Sequence, residues 1–217
     1  MEKEKETKQK LLKCALQEFS DKGYMKASLR NICKNAGVTT GALYFFFKDK
    51  DDLFRSLVSE PLAELERMIE GHFNEEVNIS YLLKKGEIDI SEIASEEGLE
   101  DDNAVAREVL KYLFKNKDIF DLLLTKAQGS SYENIADHMV AMAEKHYTGM
   151  YAVMKGYDSK RQITAEDKFI IHWISHDQID IFIHILTHCK SFKEGEKQLK
   201  NMMAYMIGGW FAVINIK

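Results

Sequence analysis

The 217-residue chain carries 30 Lys/Arg against 35 Asp/Glu, is 45% apolar, and has a single Pro, twelve Gly and three Cys. This is the composition of a soluble globular protein with few interruptions to regular structure, and no apolar run approaches the ~18 residues that a membrane-spanning helix needs. Nothing apolar follows the charged start "MEKEKETKQK" as in a signal peptide, and Cys14, Cys33 and Cys189 are odd in number and lack paired spacing, so a reduced, cytoplasmic protein is expected.

The hydrophobic period is close to 3.6 almost throughout, which predicts helices and no strand. Leu11, Leu12, Ala15, Leu16 and Phe19 make the stripe of a first helix ended by Gly23. Ser28 caps a short second helix with Leu29, Ile32, Cys33 and Ala36 inward, closed by Gly37. Thr39 caps a third helix carrying Leu43 and an aromatic run. "KDKDDLF" starts a long fourth helix to about Phe73, with a kink expected at Pro61. The acidic stretch "GEIDISEIASEEGLEDD", 86–102, reads as a loop or short surface helix. Helical patterns then follow near 104–116, 117–128, 132–156, 164–189 and 192–214, separated by "QGSS", "GYDSKRQ" and "CKSFKEG". The expected fold is all-α with about nine helices.

The last two helices are apolar over an unusual share of their circumference, more than a surface helix needs. Either both are central to the core of one chain, or a partner covers one face of each, as half of an intersubunit four-helix bundle would explain. Trp173, Ile181, Ile185, Met202, Met206 and Trp210 are the candidate interface residues of a homodimer.

Charge is asymmetric along the chain. Residues 1–55 carry 12 Lys/Arg and 8 Asp/Glu, a net +4, while residues 56–217 carry 18 and 27, a net −9. A basic head on an acidic body suits a head that meets a polyanion. Within that head, "SLRNICKNAGVTTGALYFFF" has the layout of a helix-turn-helix: a short helix, a Gly turn, and a capped second helix.

Residues 8 to 55, with "FSDKGYMKASLRNICKNAGVTTGALYFFFKDKDDLF" as the matching pattern, resemble the DNA-binding head of the TetR/AcrR family of bacterial transcriptional regulators. The resemblance implies a three-helix DNA-binding domain at 1–50 and a larger helical ligand-binding and dimerisation domain at 51–217. It implies homodimers whose third helix enters the major groove of a double-stranded DNA operator, and a small-molecule effector that releases it. Carried over to this chain, Ser28 would meet a phosphate, Thr39 and Thr40 would open the recognition helix, and Gly41 would allow close approach. Tyr44 and Lys50 would contact phosphates. At the positions of Thr40 and Phe46 the family commonly has residues that reach phosphate, so this head is expected to show a shallower salt dependence, about 0.9 of log–log slope per lost contact.

Helical geometry sorts the aromatic run "YFFF". With Leu43 inward, Phe47 lies about 40° and Phe46 about 60° to either side, whereas Phe45 lies about 160° away and points outward. On DNA, Phe45 could press on a thymine methyl. Phe46 faces either the core or a phosphate.

The middle helices are rich in Met and aromatic residues, which suit an adaptable apolar pocket as well as an ordinary core. Met68, Phe114, Met139, Met142, Tyr151, Met154 and Trp173 are the candidate effector contacts. His172, His176, Asp180, His184 and His188 recur every four residues. Because each step drifts about 40°, at most two or three could share an ion, with His176, Asp180 and His184 the candidate set. A polar stripe at a seam or surface is the plainer reading, and no metal or other cofactor is expected.

No GxSxG, P-loop, dinucleotide fingerprint or HExxH occurs, so an enzyme is not expected. The expected function is that of a ligand-responsive DNA-binding regulator, a repressor released from a palindromic operator by a small hydrophobic molecule. The alternative is an architectural or partner-binding DNA-binding protein without ligand control.

Overall fold

The computed structural model describes residues 2–87, 96–159 and 162–214. Among these residues there are nine helices and no strand, as the periodicity predicts: α1 (Glu2–Lys26), α2 (Leu29–Ala36), α3 (Thr40–Phe46), α4 (Lys50–Lys85), α5 (Glu96–Lys115), α6 (Lys117–Thr125), α7 (Ile135–Met154), α8 (Ala165–His188) and α9 (Phe192–Ile214). No helix of the described residues is long and apolar enough to cross a membrane.

The short helices obey their caps. Ser28 Oγ accepts from Asn31 N at 3.4 Å and Thr39 Oγ1 from Ala42 N at 3.2 Å. Gly37 ends α2 in the left-handed region, φ 68°, where a side chain would be strained. Gly23, φ 74° and ψ 158°, breaks α1 three residues before its end, at the stop the sequence marks. Asp49 accepts from Asp52 N at 2.8 Å while the Asp52 carboxylate accepts from Lys48 N at 2.9 Å, a reciprocal arrangement that starts α4.

Two boundaries differ from the sequence expectation. The fourth helix continues past Phe73 to Lys85 and stays helical through Pro61. After Phe73 no Gly or Pro interrupts it before Gly86, and Val77 and Tyr81 on this part are exposed. The fifth helix starts at Glu96 instead of about 104. Its first turns are acidic and so suit a helix N-terminus without showing an apolar period. The rest of the acidic stretch, 88–95, lies outside the described residues, as do 160 and 161 of the "GYDSKRQ" break.

Packing divides the chain into two units, Met1–Glu64 with Asn116–Ile135, and Leu65–Lys115 with Ala136–Lys217. The sequence places its domain boundary at residue 50. Packing instead carries the first unit on to Glu64 and adds α6 with the turns after it. In that first unit, the head, α1 packs on α2 and on α6, and α2 on α3. Its core is Leu11, Phe19, Ile32, Leu43, Phe47 and Phe54, all essentially without solvent exposure. Phe54 takes edge contacts from Phe19 and Tyr24 at 5.2 Å and packs against Tyr132 at 6.2 Å.

In the second unit, the body, α9 packs on α5 and α8, and α5 on α8. Its apolar core falls into two clusters. One joins Tyr147 and Tyr151 of α7, Ile171 and Ile174 of α8, and Trp210 of α9. The other joins Leu110 of α5, Ile181 and Ile185 of α8, and Leu199 and Met203 of α9.

Candidate nucleic-acid interface

The helix-turn-helix is held from behind by a carboxylate that the sequence reading did not single out. Glu18 is buried on α1, where its Oε1 accepts from Ser28 N at 3.1 Å and from Asn31 Nδ2 at 3.3 Å. The signal was its register, three residues after Ala15 on the stripe that also carries Leu11 and Phe19. A buried carboxylate that takes two donors fixes the start of α2 relative to α1. It also uses one of the N–H groups that Ser28 could have turned to a phosphate, leaving the Ser28 hydroxyl free to donate.

The turn is locked by Val38 N donating to Cys33 O at 3.0 Å. The third helix then divides by face. Leu43 and Phe47 are 0% and 1% exposed, whereas Tyr44 and Phe45 are 55% and 72% exposed. Thr39, Thr40 and Gly41 are exposed at the same helix's start. Phe47 reaches the core as the C-cap in extended conformation, outside the helical turns. Phe46 is half-buried, with its ring edge-on to Phe45 at 5.0 Å and tilted against Phe47 at 6.3 Å. Its place is therefore within an aromatic ladder that braces Phe45.

Lys50 is half-buried. Its Nζ donates to Met25 O at 3.1 Å and stands 4.7 Å from the centre of the Tyr24 ring. Burial pushes its pKa below the ordinary lysine value. It thus ties the last turn of α1 to the start of α4, and two of its three ammonium protons remain for another acceptor. Asp51 binds the other side of this junction. Burial would raise its carboxyl, but hydrogen bonds from Ser131 N, at 2.9 Å, and from the Ser131 and Arg55 side chains outweigh it and leave the pKa below the usual range. Tyr24 N donates to Lys126 O at 2.8 Å, so the turns after α6 brace both ends of this junction. Three cations of the helix-turn-helix are exposed, Arg30 and Lys34 on α2 and Lys48 after α3. The sequence showed their charge, but their exposure needed the packed helices.

The body candidates disperse. Tyr151 is buried in the first cluster, and Met154 packs against it. Phe114 packs against the second cluster, its Cε2 lying 2.9 Å from where a Cβ on Gly195 would stand. Met139 is buried and Met68 and Met142 half-buried, none of them in either cluster, while Trp173 is exposed on α8.

Among the interface candidates, Ile181, Ile185 and Trp210 are buried within one chain, and Met202 and Met206 pack on its second cluster. These residues therefore serve the chain's own core. The large apolar side chains that α8 and α9 leave exposed, among the described residues, are Phe169, Trp173 and Tyr205. The helical projection had placed the isoleucines in an apolar stripe without deciding which partner covered it.

The histidine series breaks into pairs. His172 and His176 rings stand 4.6 Å apart, and His184 and His188 stack at 4.0 Å, with His188 Nδ1 2.9 Å from His184 O. His172 Nδ1 is 3.5 Å from a Glu144 carboxylate oxygen. Among the described residues no three His, Cys, Asp or Glu side chains converge as a metal site would require, so His176, Asp180 and His184 do not form one.

Comparison with known proteins agrees with this geometry. Residues 11–57 match the family described as bacterial regulatory proteins, tetR family. A transcriptional regulator, AcrR of Shigella flexneri, is 46% identical over 71 residues, covering 31% of this chain and 33% of that protein. The transcriptional repressor BepR of Brucella suis is 43% identical over 53 residues, covering 24% of this chain and 25% of that protein. The chain thus spans about a third or less of the length of the curated relatives it matches. Solved structures match almost end to end. NalD of Pseudomonas aeruginosa, the secondary repressor of the MexAB-OprM multidrug efflux pump, covers 95% of this chain and is itself 97% covered, with a TM-score of 0.56 and 18% identity. A TetR-like regulator from Rhodococcus gives 0.53 at 14% identity, covering 94% and 96%. At such identities the likeness is one of fold. Residues 11–57 thus carry the head of the tetR family of bacterial regulatory proteins, and nearly the whole chain shares the fold of these regulators of known structure.

Proposed function

We propose that the protein is a one-component transcriptional repressor that binds a palindromic operator as a homodimer and is released by a small hydrophobic molecule. The observation that carries this is the division of α3, where Leu43 is sealed inside and Tyr44 and Phe45 stand out in water on the same short helix. Two large exposed aromatics, in a helix-turn-helix that also exposes Arg30, Lys34 and Lys48, are poorly suited to solvent alone, and suit a duplex that offers phosphates and thymine methyls. Ser28, Thr39, Thr40, Gly41 and Lys50 complete that face, and Phe46 acts by bracing Phe45.

Dimerisation would use the exposed side of α8 and α9 around Phe169, Trp173 and Tyr205, and would set two copies of α3 at the spacing of successive major grooves. The effector would act in the body, and α4, whose residues belong to both units, would carry its effect by changing head separation. The chain is in this reading cytoplasmic and not an enzyme.

The test is selection from a randomised duplex pool followed by mobility-shift titration. The parent is expected to enrich a two-fold symmetric sequence. Phe45→Ala should weaken it about tenfold to a hundredfold, the range of one good base contact, without changing the melting temperature. Lys48→Ala should lower the log–log salt slope by about 0.9 per half-site if it meets one phosphate. A parent that enriches nothing, or a Phe45→Ala variant that binds as well as the parent, would show the reading of α3 to be wrong.

A further inference from the structure

The outward face of α3 consists of two pairs of side-chain positions. At about 100° per residue, Gly41 and Phe45 lie about 40° apart on the side away from Leu43, and Thr40 and Tyr44 make a second such pair beside them. All of these are exposed, Phe45 the most at 72%. The remainder is turned inward or held: Leu43 and the C-cap Phe47 are sealed in the core, and Ala42 and Phe46 are half-buried.

Nothing within the chain requires the glycine at position 41. Its backbone lies outside the left-handed region that Gly37 occupies, and a Cβ there would meet only Thr39 Oγ1 at 3.8 Å, an ordinary contact. Alanine would favour the helix more. A bare position on an exposed face therefore suits a surface outside the chain that comes close to the α3 backbone.

The chemistry of the face narrows what it can select. From Thr39 to Phe47 there is no cation, no carboxylate and no side-chain amide. The Arg or Lys that picks out guanine, the Asn or Gln that picks out adenine and the acid that accepts from cytosine are all missing from α3. Thr39 Oγ1 is turned to Ala42 N at 3.2 Å. The hydroxyls of Thr40 and Tyr44 both donate and accept, so they meet either kind of base edge without choosing between them. Phe45 is left, and an apolar ring in the major groove has one partner to choose, the methyl on C5 of a pyrimidine. The ring is held for that task from the core outward. Phe46 stands edge-on to it at 5.0 Å and leans on the buried Phe47 at 6.3 Å.

We infer that α3 selects its operator through a pyrimidine C5-methyl group pressed on Phe45, so that it separates thymine from uracil and accepts 5-methylcytosine as thymine. This selectivity rests on the reading of α3 as the helix that enters the major groove, and it makes recognition sensitive to cytosine methylation at that position.

Mobility-shift titration of the full-length protein on the selected operator decides it. Each thymine of the half-site is replaced in turn, symmetrically, by uracil, which lacks only the methyl. One position is expected to weaken binding about fourfold per half-site, the worth of one buried methyl group. There, cytosine should bind as weakly as uracil, and 5-methylcytosine within about twofold of thymine. Phe45→Ala should bind all of these alike, whereas a difference due to the stiffness of the duplex itself would persist in that variant. Gly41→Ala should weaken the parent operator several-fold while its melting temperature stays level or rises. Uracil bound as tightly as thymine at every position, 5-methylcytosine bound as weakly as cytosine, or a thymine preference that survives Phe45→Ala overturns methyl readout and leaves the operator-binding role standing. A selected half-site without thymine, or a Gly41→Ala variant that binds as well as the parent, does the same. A pool from which nothing is enriched overturns both the selectivity and the reading of α3 beneath it.

Discussion

The head and the body differ in the buried polar groups that they leave without a hydrogen bond. In the head, Glu18 accepts two donors and Asp51 accepts from Ser131 and Arg55, so each buried or half-buried carboxylate is matched to a backbone position it must fix. In the body lie all four buried side-chain atoms of the described residues that lack a hydrogen bond: Glu76 Oε2, His146 Nε2, Gln178 Oε1 and Trp210 Nε1. A surface that must fit one duplex gains from a fully determined scaffold. On the proposed function, a core that admits an effector would gain from polar atoms held ready for it, and the head would have one arrangement to hold where the body would have two.

The largest expected effect probes the head's packing. Phe54 is fully buried and touches Phe19, Tyr24 and Tyr132. Phe54→Ala should cost about 3–5 kcal/mol, the range for deleting a buried aromatic, and chemical denaturation should show it as a lower midpoint. A cost under about 1 kcal/mol would mean that the head collapses onto the gap and is less determined than its contacts imply.

Next comes the buried carboxylate. Glu18→Ala leaves Ser28 N and Asn31 Nδ2 without their acceptor and should cost about 2–3 kcal/mol, read in the same denaturation. Operator affinity should fall further than stability alone explains, since the start of α2 loses its anchor to α1. A variant with parental stability and parental affinity would mean that Glu18 is incidental.

The body gives a pH effect of known sign. Burial first, then the hydrogen bond to Asp167, pushes the Tyr151 phenol up to about 12 from its ordinary value of 10.0. Because the folded pKa lies above the unfolded one, this contribution to stability is whole below about pH 10 and is lost as pH rises through about 12. Ultraviolet titration should show Tyr151 ionising among the last of the nine tyrosines. In Tyr151→Phe, the part of the alkaline loss of stability that belongs to this phenol should be missing.

How much of this the sequence disclosed follows from what each feature depends on. Ser28, Gly37 and Thr39 act within three residues of themselves, so their caps were legible and the structure has them. The outward direction of Phe45 follows from 100° per residue and is likewise found. The role of Glu18 depends on α2 lying across α1, and the inclusion of 116–135 in the head depends on α6 packing against α1; neither separation leaves a periodic trace. Ile181 and Ile185 show the converse limit. An apolar stripe states that something covers it, and here the cover is α5 and α9 of the same chain. The end of α4 was missed because its exposed Val77 and Tyr81 do not continue the apolar stripe that marks its first turns.

The smallest expected change is the sharpest test of the comparison. Trp210→Phe, without any ligand, removes a donor that has no partner together with part of a large ring. The lost ring atoms should cost about 1 kcal/mol or somewhat more as a cavity, and release of the unmatched N–H should return roughly 1–3 kcal/mol. The two nearly cancel, so the denaturation midpoint should stay within about 1 kcal/mol of the parent or rise. Removal of a polar group would then destabilise the head at Glu18 and leave the body unharmed at Trp210. A loss of 2 kcal/mol or more would mean that the indole N–H is satisfied in solution by a bound water. The body would then be as fully matched as the head, and its core would be built for a single arrangement after all.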